Sequence, residues 1–145
     1  MIYTELTVKA MKLAYAAHQG QTDKCGVPYV FHPLHLAEQM NDEYSVCAAL
    51  LHDTVEDTDI TLEQLAEDFP APVVEAVRLL THDDDADYFE YVRAIKQNSL
   101  ARAVKRADLE HNSDPSRSAL TGEPHEKTAA RLEIYAQAKK ILLDE

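Results

Sequence analysis

Residues 48–58 read AALLHDTVEDT and join an apolar helical segment to a group of metal-binding side chains. Apolar residues at helical spacing predict a buried helix over about residues 43–54, with its stripe formed by Val46, Ala49 and Leu50. His52 and Asp53 lie near the predicted end of this helix. In mid-helix adjacent side chains would point about 100° apart, but over a helix end they can converge on one ion. The stretch therefore predicts a helix that carries a histidine and an aspartate at one end.

Two further carboxylates follow in the same stretch. Glu56 lies one helical turn beyond His52, and Asp57 lies one turn beyond Asp53. Anions at a helix C-terminus oppose the helix macrodipole, and the presence of several acidic groups there therefore needs a physical reason. A solvated acidic helix end is one interpretation, and a bound cation is the other.

Two residues elsewhere favour the cation. His32 lies in residues 29–33 (YVFHP), at a probable helix start, and Asp108 shares one helical face with Ala101, Val104 and His111. A carboxylate on an apolar face is costly unless it is paired or bound to a metal. His32, His52, Asp53 and Asp108 together form a mixed nitrogen and oxygen set that suits a divalent transition ion. Such an ion can lower the pKa of a water and direct it at phosphorus.

Each of these residues also has an ordinary structural interpretation. Asp108 alone would more often be half of a buried ion pair with a nearby basic side chain. His32 alone would be a surface or capping histidine, and His35 lies one turn later and competes with it as a ligand. The run of His82 with Asp83, Asp84 and Asp85 is more typical of a solvated turn than of a metal site.

The bulk composition predicts one cytoplasmic domain over residues 1–145. A chain of 145 residues suits a single domain with a proper core. Its two cysteines, Cys25 and Cys47, match a reduced compartment better than a disulfide framework. We see no apolar signal segment at the N-terminus and no run approaching the roughly 20 apolar residues of a membrane span.

The net charge of −12 argues against a long nucleic-acid partner, which normally needs a broad basic surface. It leaves room for a small phosphorylated ligand, because local charge decides that case. Arg102, Lys105 and Arg106 cluster on one predicted helix of a chain with only 14 basic residues. They are either solvated helix charges or phosphate-binding groups.

The fold class predicted from the sequence is all-α, a compact set of helices with little or no sheet. Only three glycines occur, and alanine and leucine are plentiful. We expect a loop over Gln19–Tyr29, and the longest loop over Asn112–Glu123. Helices are predicted over residues 5–18, 33–40, 43–54, 61–68, from Pro72 onward, and over 87–97, 99–113 and 124–143.

Taken together, these segments resemble the HD-domain metal-dependent phosphohydrolases, and more narrowly the (p)ppGpp hydrolase domain of the RelA/SpoT family and its small single-domain relatives. Order and spacing match over about residues 5–115. The segments that carry the resemblance are 17–21 (AHQGQ), 26–33 (GVPYVFHP), 48–58 (AALLHDTVEDT) and 105–112 (KRADLEHN).

The resemblance implies an all-helical fold and one bound divalent ion, commonly manganese. It implies metal ligands at His32, His52, Asp53 and Asp108. The family's catalytic Glu-Asp pair falls on Glu56 and Asp57, and residues that hold the nucleotide map onto Lys24 and Asn112. Lys105, on a neighbouring helical row, is a further candidate for binding phosphate. The implied reaction removes the 3′-pyrophosphate of guanosine tetra- or pentaphosphate.

The chain departs from the family pattern where the nucleotide base is recognised. Family members usually carry an arginine that stacks on guanine where this chain has Asp23. After the shared asparagine, the family's arginine and threonine or serine give way here to Asp114 and Pro115. The leading hypothesis is a metal-dependent (p)ppGpp 3′-pyrophosphohydrolase. The alternatives are an HD-domain hydrolase of another nucleotide phosphate, and a catalytically weak module that binds or senses nucleotides.

Overall fold

The computed structural model describes residues 1–144, and they form an all-helical fold. The all-α class predicted from the sequence is confirmed. Among these residues the one β-like pairing is an isolated bridge between Thr22 and Pro28. The helices are α1 (Glu5–Ala17), α2 (Phe31–Glu38), α3 (Glu43–Leu51), α4 (Thr54–Asp57), α5 (Leu62–Asp68), α6 (Ala71–Leu80), α7 (Tyr88–Lys96), α8 (Ser99–Asn112), α9 (Pro115–Ser118) and α10 (His125–Leu143).

Helix α3 is the centre of the fold. Every residue from Ser45 to Leu51 is buried, and α1, α2, α6 and α8 pack around it. A helix that is apolar on all sides lies inside a bundle rather than on its surface. Burying a leucine such as Leu50 or Leu51 contributes about 1.5–3 kcal/mol each, so the packing of α3 fixes where its C-terminal end lies. That end carries His52 and Asp53.

The helix predicted over residues 43–54 is divided in the structure. Helix α3 ends at Leu51, and the short helix α4 begins at Thr54. The Thr54 hydroxyl donates to the Leu51 carbonyl over 2.7 Å and thus satisfies a carbonyl left open at the break. Asp53 has φ −104° and ψ 0° and turns the chain between the two helices. The apolar stripe ends at Leu51, and the polar residues 52–54 that follow it were included in the predicted helix as its last turn.

Two other boundaries differ from the prediction. Helix α2 begins at Phe31, two residues before Pro33, because a proline in the first turn removes only an N–H that has no helical partner. The loop predicted over residues 112–123 contains α9, whose N-cap Asp114 accepts from the Ser116 amide over 2.9 Å. Pro115 occupies the first helical position, which it favours.

Helix α10 packs on α7 and α8 and supplies a wall beside the end of α8. Ala138 and Leu142 are buried there. Within residues 1–144, no helix combines the length and the apolar character that crossing a membrane requires.

Candidate metal centre

Three helical segments bring the four predicted metal ligands to one point. Helix α2 supplies His32, the break between α3 and α4 supplies His52 and Asp53, and α8 supplies Asp108. We call these four residues the ligand cluster. Asp53 is partly buried and the other three are buried, so their polar atoms have been taken out of bulk water. Such burial is costly unless the groups compensate one another or share a bound ion.

The separations within the ligand cluster suit a small divalent ion. Nε2 of His32 lies 2.8 Å from Asp108 Oδ1 and 4.0 Å from Asp53 Oδ2. Nε2 of His52 lies 2.9 Å from Asp53 Oδ2 and 3.6 Å from Asp108 Oδ1. An octahedral ion with bonds of about 2.1 Å separates neighbouring ligand atoms by about 3.0 Å and opposite ones by about 4.2 Å. The four observed separations, 2.8–4.0 Å, lie close to these values.

His52 provides an independent test of whether a cation fits. Its Nδ1 lies 2.6 Å from the Ala49 carbonyl, an acceptor that requires Nδ1 to carry the hydrogen. Nε2 then offers a lone pair, and this buried atom has no aligned hydrogen-bond partner within residues 1–144. Imidazole held by a backbone carbonyl on one nitrogen is the usual arrangement of a metal-binding histidine. The orphaned lone pair and the adjacent carboxylates fit a divalent metal ion.

The electrostatics of His52 support the same conclusion. Burial alone lowers the pKa of His52, but the carboxylates of Asp53 and Asp108 raise it well above the usual value. In return, although burial raises the pKa of Asp53, the charge of His52 holds it below its usual value. Without a metal, a proton on His52 therefore supplies the positive charge that these carboxylates require. A metal ion would replace that proton.

Asp108 takes part in a buried ion pair as well as in the ligand cluster. Its Oδ2 accepts from Lys105 Nζ over 3.1 Å, and its Oδ1 accepts from the Asn112 amide over 3.1 Å. Burial raises the pKa of Asp108, but the Lys105 ammonium and the two histidines hold it well below its usual value. Both interpretations of Asp108 weighed from the sequence therefore have a geometric basis, since one oxygen contacts Lys105 and the other faces His32.

Two residues that the sequence analysis did not place in the site contact the ligand cluster directly. His111 Nδ1 lies 2.7 Å from Nδ1 of His32, with the two rings nearly parallel at 9°. Burial and nearby positive charge lower the pKa of His111 to about 4, so it is neutral and can accept a hydrogen bond from His32. The Tyr29 hydroxyl donates to Asp53 Oδ2. The sequence signal for His111 was its position one helical turn after Asp108. The sequence signal for Tyr29 was its place in the Pro-Tyr segment before His32.

Glu56 and Asp57, the predicted catalytic pair, line a cavity of about 230 Å³ next to the ligand cluster. We call it the carboxylate cavity, because Asp53, Glu56, Asp57 and Asp108 all border it. Burial raises the pKa of Glu56 and of Asp57, and the charge of Asp53 raises both further. Glu56 Oε1 also accepts the backbone N–H of His82 over 2.7 Å, which holds this carboxylate in place.

The residues predicted to bind substrate occupy different positions around the cluster. Asn112 borders the carboxylate cavity and a second cavity of about 280 Å³, which we call the distal cavity. Lys24 lines the distal cavity and forms an exposed ion pair of 3.4 Å with Glu123. Lys105 is buried under the carboxylate cavity, with its ammonium 5.6 Å and 5.2 Å from the ring centres of Tyr88 and Tyr91.

The other basic residues of α8 lie away from both cavities. Arg106 is exposed and pairs with Glu110 at 3.5 Å, and neither Arg102 nor Arg106 borders the carboxylate or the distal cavity. The surface ion pair of Arg106 and the position of both arginines outside the cavities match the ordinary interpretation given above. Of the basic cluster on α8, only Lys105 faces the site.

The departures from the family pattern are also located around the distal cavity. Asp23 lines it and forms an ion pair of 3.3 Å with Arg117 of α9. Asp114 and Pro115 form the N-terminal cap of α9 and do not line either cavity. The Asp23 carboxylate therefore lies where the resemblance led us to expect a cation, but it is paired with the guanidinium of Arg117.

A comparison with protein families and known proteins agrees with this geometry. The model of the HD domain matches residues 10–112. A GTP pyrophosphokinase of Streptomyces coelicolor is 36% identical over 141 residues, covering 88% of this chain and 17% of that protein. A guanosine-3′,5′-bis(diphosphate) 3′-pyrophosphohydrolase of Haemophilus influenzae is 33% identical over 138 residues, covering 85% of this chain and 20% of that protein. The chain thus spans about a fifth of the length of these relatives.

Structural similarity extends over nearly the whole chain. A solved structure of a metazoan ortholog of SpoT, described as hydrolysing ppGpp, superimposes with a TM-score of 0.79 and 26% sequence identity. The match covers 99% of this chain and 88% of that one. The match to the HD-domain model covers all four residues of the ligand cluster and both carboxylates of the predicted catalytic pair. This chain belongs to the HD-domain family.

Proposed function

We propose that this chain is a metal-dependent phosphohydrolase of a phosphorylated nucleotide, and specifically a guanosine 3′,5′-bis(diphosphate) 3′-pyrophosphohydrolase. The observation that carries the proposal is the buried Nε2 of His52, which lies 2.9 Å from Asp53 Oδ2 and has no aligned hydrogen-bond partner within residues 1–144. One relative and one structural neighbour whose names describe hydrolysis of guanosine 3′,5′-bis(diphosphate) or ppGpp support the substrate. Residues 1–145 would act as one HD-type unit.

His32, His52, Asp53 and Asp108 would hold one divalent ion, since two imidazoles and two carboxylates suit a divalent transition metal, and the family resemblance makes manganese the candidate. When bound, such an ion supplies Lewis acidity to the phosphoryl group and lowers the pKa of water. His111 would fix His32 by accepting its Nδ1 hydrogen, and Ala49 fixes His52 in the same way.

Glu56 and Asp57 would handle the proton of the attacking water. Their raised pKa values bring these carboxylates closer to neutral pH, where a general base works best. The water oxygen would bond to the phosphorus attached to the 3′ oxygen, the bond from phosphorus to that oxygen would break, and one water proton would end on it. The products would be a nucleoside 5′-diphosphate and pyrophosphate.

A second candidate is the hydrolysis of a different nucleotide phosphate. It is favoured by Asp23, whose carboxylate lines the distal cavity where the family usually has an arginine. The chemistry at the ligand cluster would be the same in both cases. A module that binds nucleotides without turnover would need the cavities but not the pair of Glu56 and Asp57 beside the ligand cluster.

The proposal is tested by incubating manganese-loaded protein with guanosine tetraphosphate and following GDP and pyrophosphate by chromatography. We expect chelator-sensitive release of both products in equal amounts, from protein that holds about one manganese per chain. Asp108→Asn should lose metal and turnover together. Absence of product from metal-loaded wild-type protein would reject this substrate. A panel of other 3′-phosphorylated nucleotides would then separate the second hydrolase from a binding module.

A further inference from the structure

The distal cavity begins beside the ligand cluster, at His32, and ends at two arginines that lie beyond the residues matched by the HD-domain model. We propose that Arg117 binds the second phosphate group of the substrate, the one that is not cleaved, and that Asp23 positions the Arg117 guanidinium for it. This inference rests on the proposed function, because it requires a nucleotide phosphorylated at two places. It assigns substrate selection to a short segment of the chain, helix α9.

Hydrogen bonds hold the Arg117 guanidinium in place but do not use all of its N–H donors. Its Nη1 donates to the His111 carbonyl over 2.8 Å and contacts Asn112 Oδ1 at 3.4 Å, and its Nη2 donates to Asp23 Oδ2 over 3.3 Å. A guanidinium has five N–H donors, so two have no partner among residues 1–144. The side chain is 24% exposed and lines the cavity. A fixed fork with open donors suits a phosphate oxygen pair.

Asp23 is itself fixed by the backbone around it. Its Oδ1 accepts the amide hydrogens of Cys25 over 2.8 Å and Val27 over 3.0 Å, which leaves Oδ2 for Arg117. Burial raises the pKa of Asp23, but these amides and Arg117 outweigh it and hold the pKa below its usual value. The carboxylate is therefore charged at neutral pH. Its role is to orient a cation rather than to contact an anionic substrate.

The charges of the two cavities differ in sign. The carboxylate cavity is lined by four carboxylates against the Lys105 ammonium and the His52 imidazole, so its charged groups are predominantly acidic. The distal cavity is lined by Lys24, Arg117 and Arg131 with Asp23 as its acidic member, and Glu123 behind it pairs with two of the cations. Counting Glu123, it keeps a surplus of one positive charge, in a chain whose net charge is −12. An uncleaved phosphate group is stabilised in the distal cavity and repelled from the other.

One molecule can reach both places. Tyr29, Asn112 and Tyr135 line both cavities, and His32 of the ligand cluster borders the distal one. A phosphate at the ligand cluster and a phosphate at Arg117 would then belong to opposite ends of one nucleotide. The ordinary alternative is that the pair of Arg117 and Asp23 only attaches α9 to the loop after α1. The two interpretations differ in what they predict for substrate preference.

The test compares two substrates that differ only at the distal phosphate, guanosine tetraphosphate and guanosine 3′-diphosphate. For each we would measure kcat and KM with wild type, Arg117→Gln and Asp23→Asn. We expect the preference for the tetraphosphate, as a ratio of kcat/KM values, to fall about tenfold or more in Arg117→Gln, mostly through KM. Asp23→Asn should lower the ratio less. Arg78→Ala is the matched control, since it removes an exposed arginine paired with Glu75 outside both cavities and should leave the ratio unchanged.

A binding experiment keeps this inference separate from the proposed function. GDP carries only the distal phosphate group, so calorimetric titration with GDP needs no turnover. We expect wild type to bind GDP at least tenfold more tightly than Arg117→Gln, and both to bind unphosphorylated guanosine alike. If wild type cleaves neither substrate, the proposed function fails while the GDP titration still decides the role of Arg117. An unchanged substrate ratio, or equal GDP affinity in a variant with wild-type circular dichroism, would overturn the inference.

Discussion

Replacing Lys105 with methionine should lower the stability of the metal-free protein and raise its affinity for a divalent metal ion. Lys105 is buried, and its ammonium lies 3.1 Å from Asp108 Oδ2. At an effective dielectric constant near 20, two unit charges at that separation attract by about 5 kcal/mol. Because the variant no longer has to bury an ammonium, part of this lost attraction is offset. Breaking a buried ion pair by removing one partner leaves a net loss of about 3–5 kcal/mol in the free energy of unfolding. We expect Lys105→Met to lose that much stability in urea denaturation with chelator present.

On the proposed assignment, a bound divalent ion would change this result because it would neutralise Asp108 in place of Lys105. With saturating manganese the loss should shrink, and linkage then requires tighter metal binding in the variant. We expect Lys105→Met to bind manganese at least tenfold more tightly than wild type, which corresponds to about 1.4 kcal/mol. Lys127→Met makes the same change at an exposed lysine of α10 and should alter stability by no more than about 0.5 kcal/mol. Equal destabilisation with and without metal, or weaker metal binding in Lys105→Met, would refute the assignment of Asp108 to both an ion pair and a metal ion.

Three other results are expected. Glu56→Gln should retain metal by elemental analysis but lose about 100-fold or more in kcat. Burial raises the pKa of Glu56, so we expect the kcat of wild type to fall at acidic pH as this carboxylate becomes protonated, and we expect no such fall in Glu56→Gln. A wild-type rate in Glu56→Gln would remove Glu56 from proton transfer. His111→Ala should weaken manganese binding about 10- to 100-fold, measured by competition with a chelating dye; unaltered affinity would show that His32 needs no such partner. Chelation of metal present at about 100 times its dissociation constant should lower the free energy of unfolding by about 2.7 kcal/mol, and an identical urea midpoint would argue against a native-state site.

The fold and the grouping of the ligand residues follow from local features of the sequence. Helical periodicity located the helices, and the segments around His32, His52 and Asp108 were short and specific enough to be placed in one site before any coordinates. The structure brings these residues together at the end of α3. Glu56 and Asp57 lie next to them for the same reason, because one turn of helix fixes their spacing.

What could not be read from the sequence depends on how distant segments meet. Lys105 was a phosphate-binding candidate by its helical row, but packing against Tyr88 and Tyr91 places its ammonium on Asp108. Asp23 was noted as a departure, and only the placement of α9 shows that it is paired with Arg117, 94 residues away in the chain. The break at His52 and Asp53 was missed because helix ends are located from sequence only to within a few residues.

The contact between His32 and Asp108 joins residues 76 positions apart, and it has a kinetic meaning. An ion shared by α2, the end of α3 and α8 would act as a cross-link that closes this long loop. On the chain-entropy estimate a permanent link of that span restricts the unfolded chain by about 4.5 kcal/mol. Separation of these segments would then require release of the ion, so the loaded protein should unfold more slowly than the metal-free protein. A protein that looks thermodynamically ordinary without metal would become long-lived once loaded.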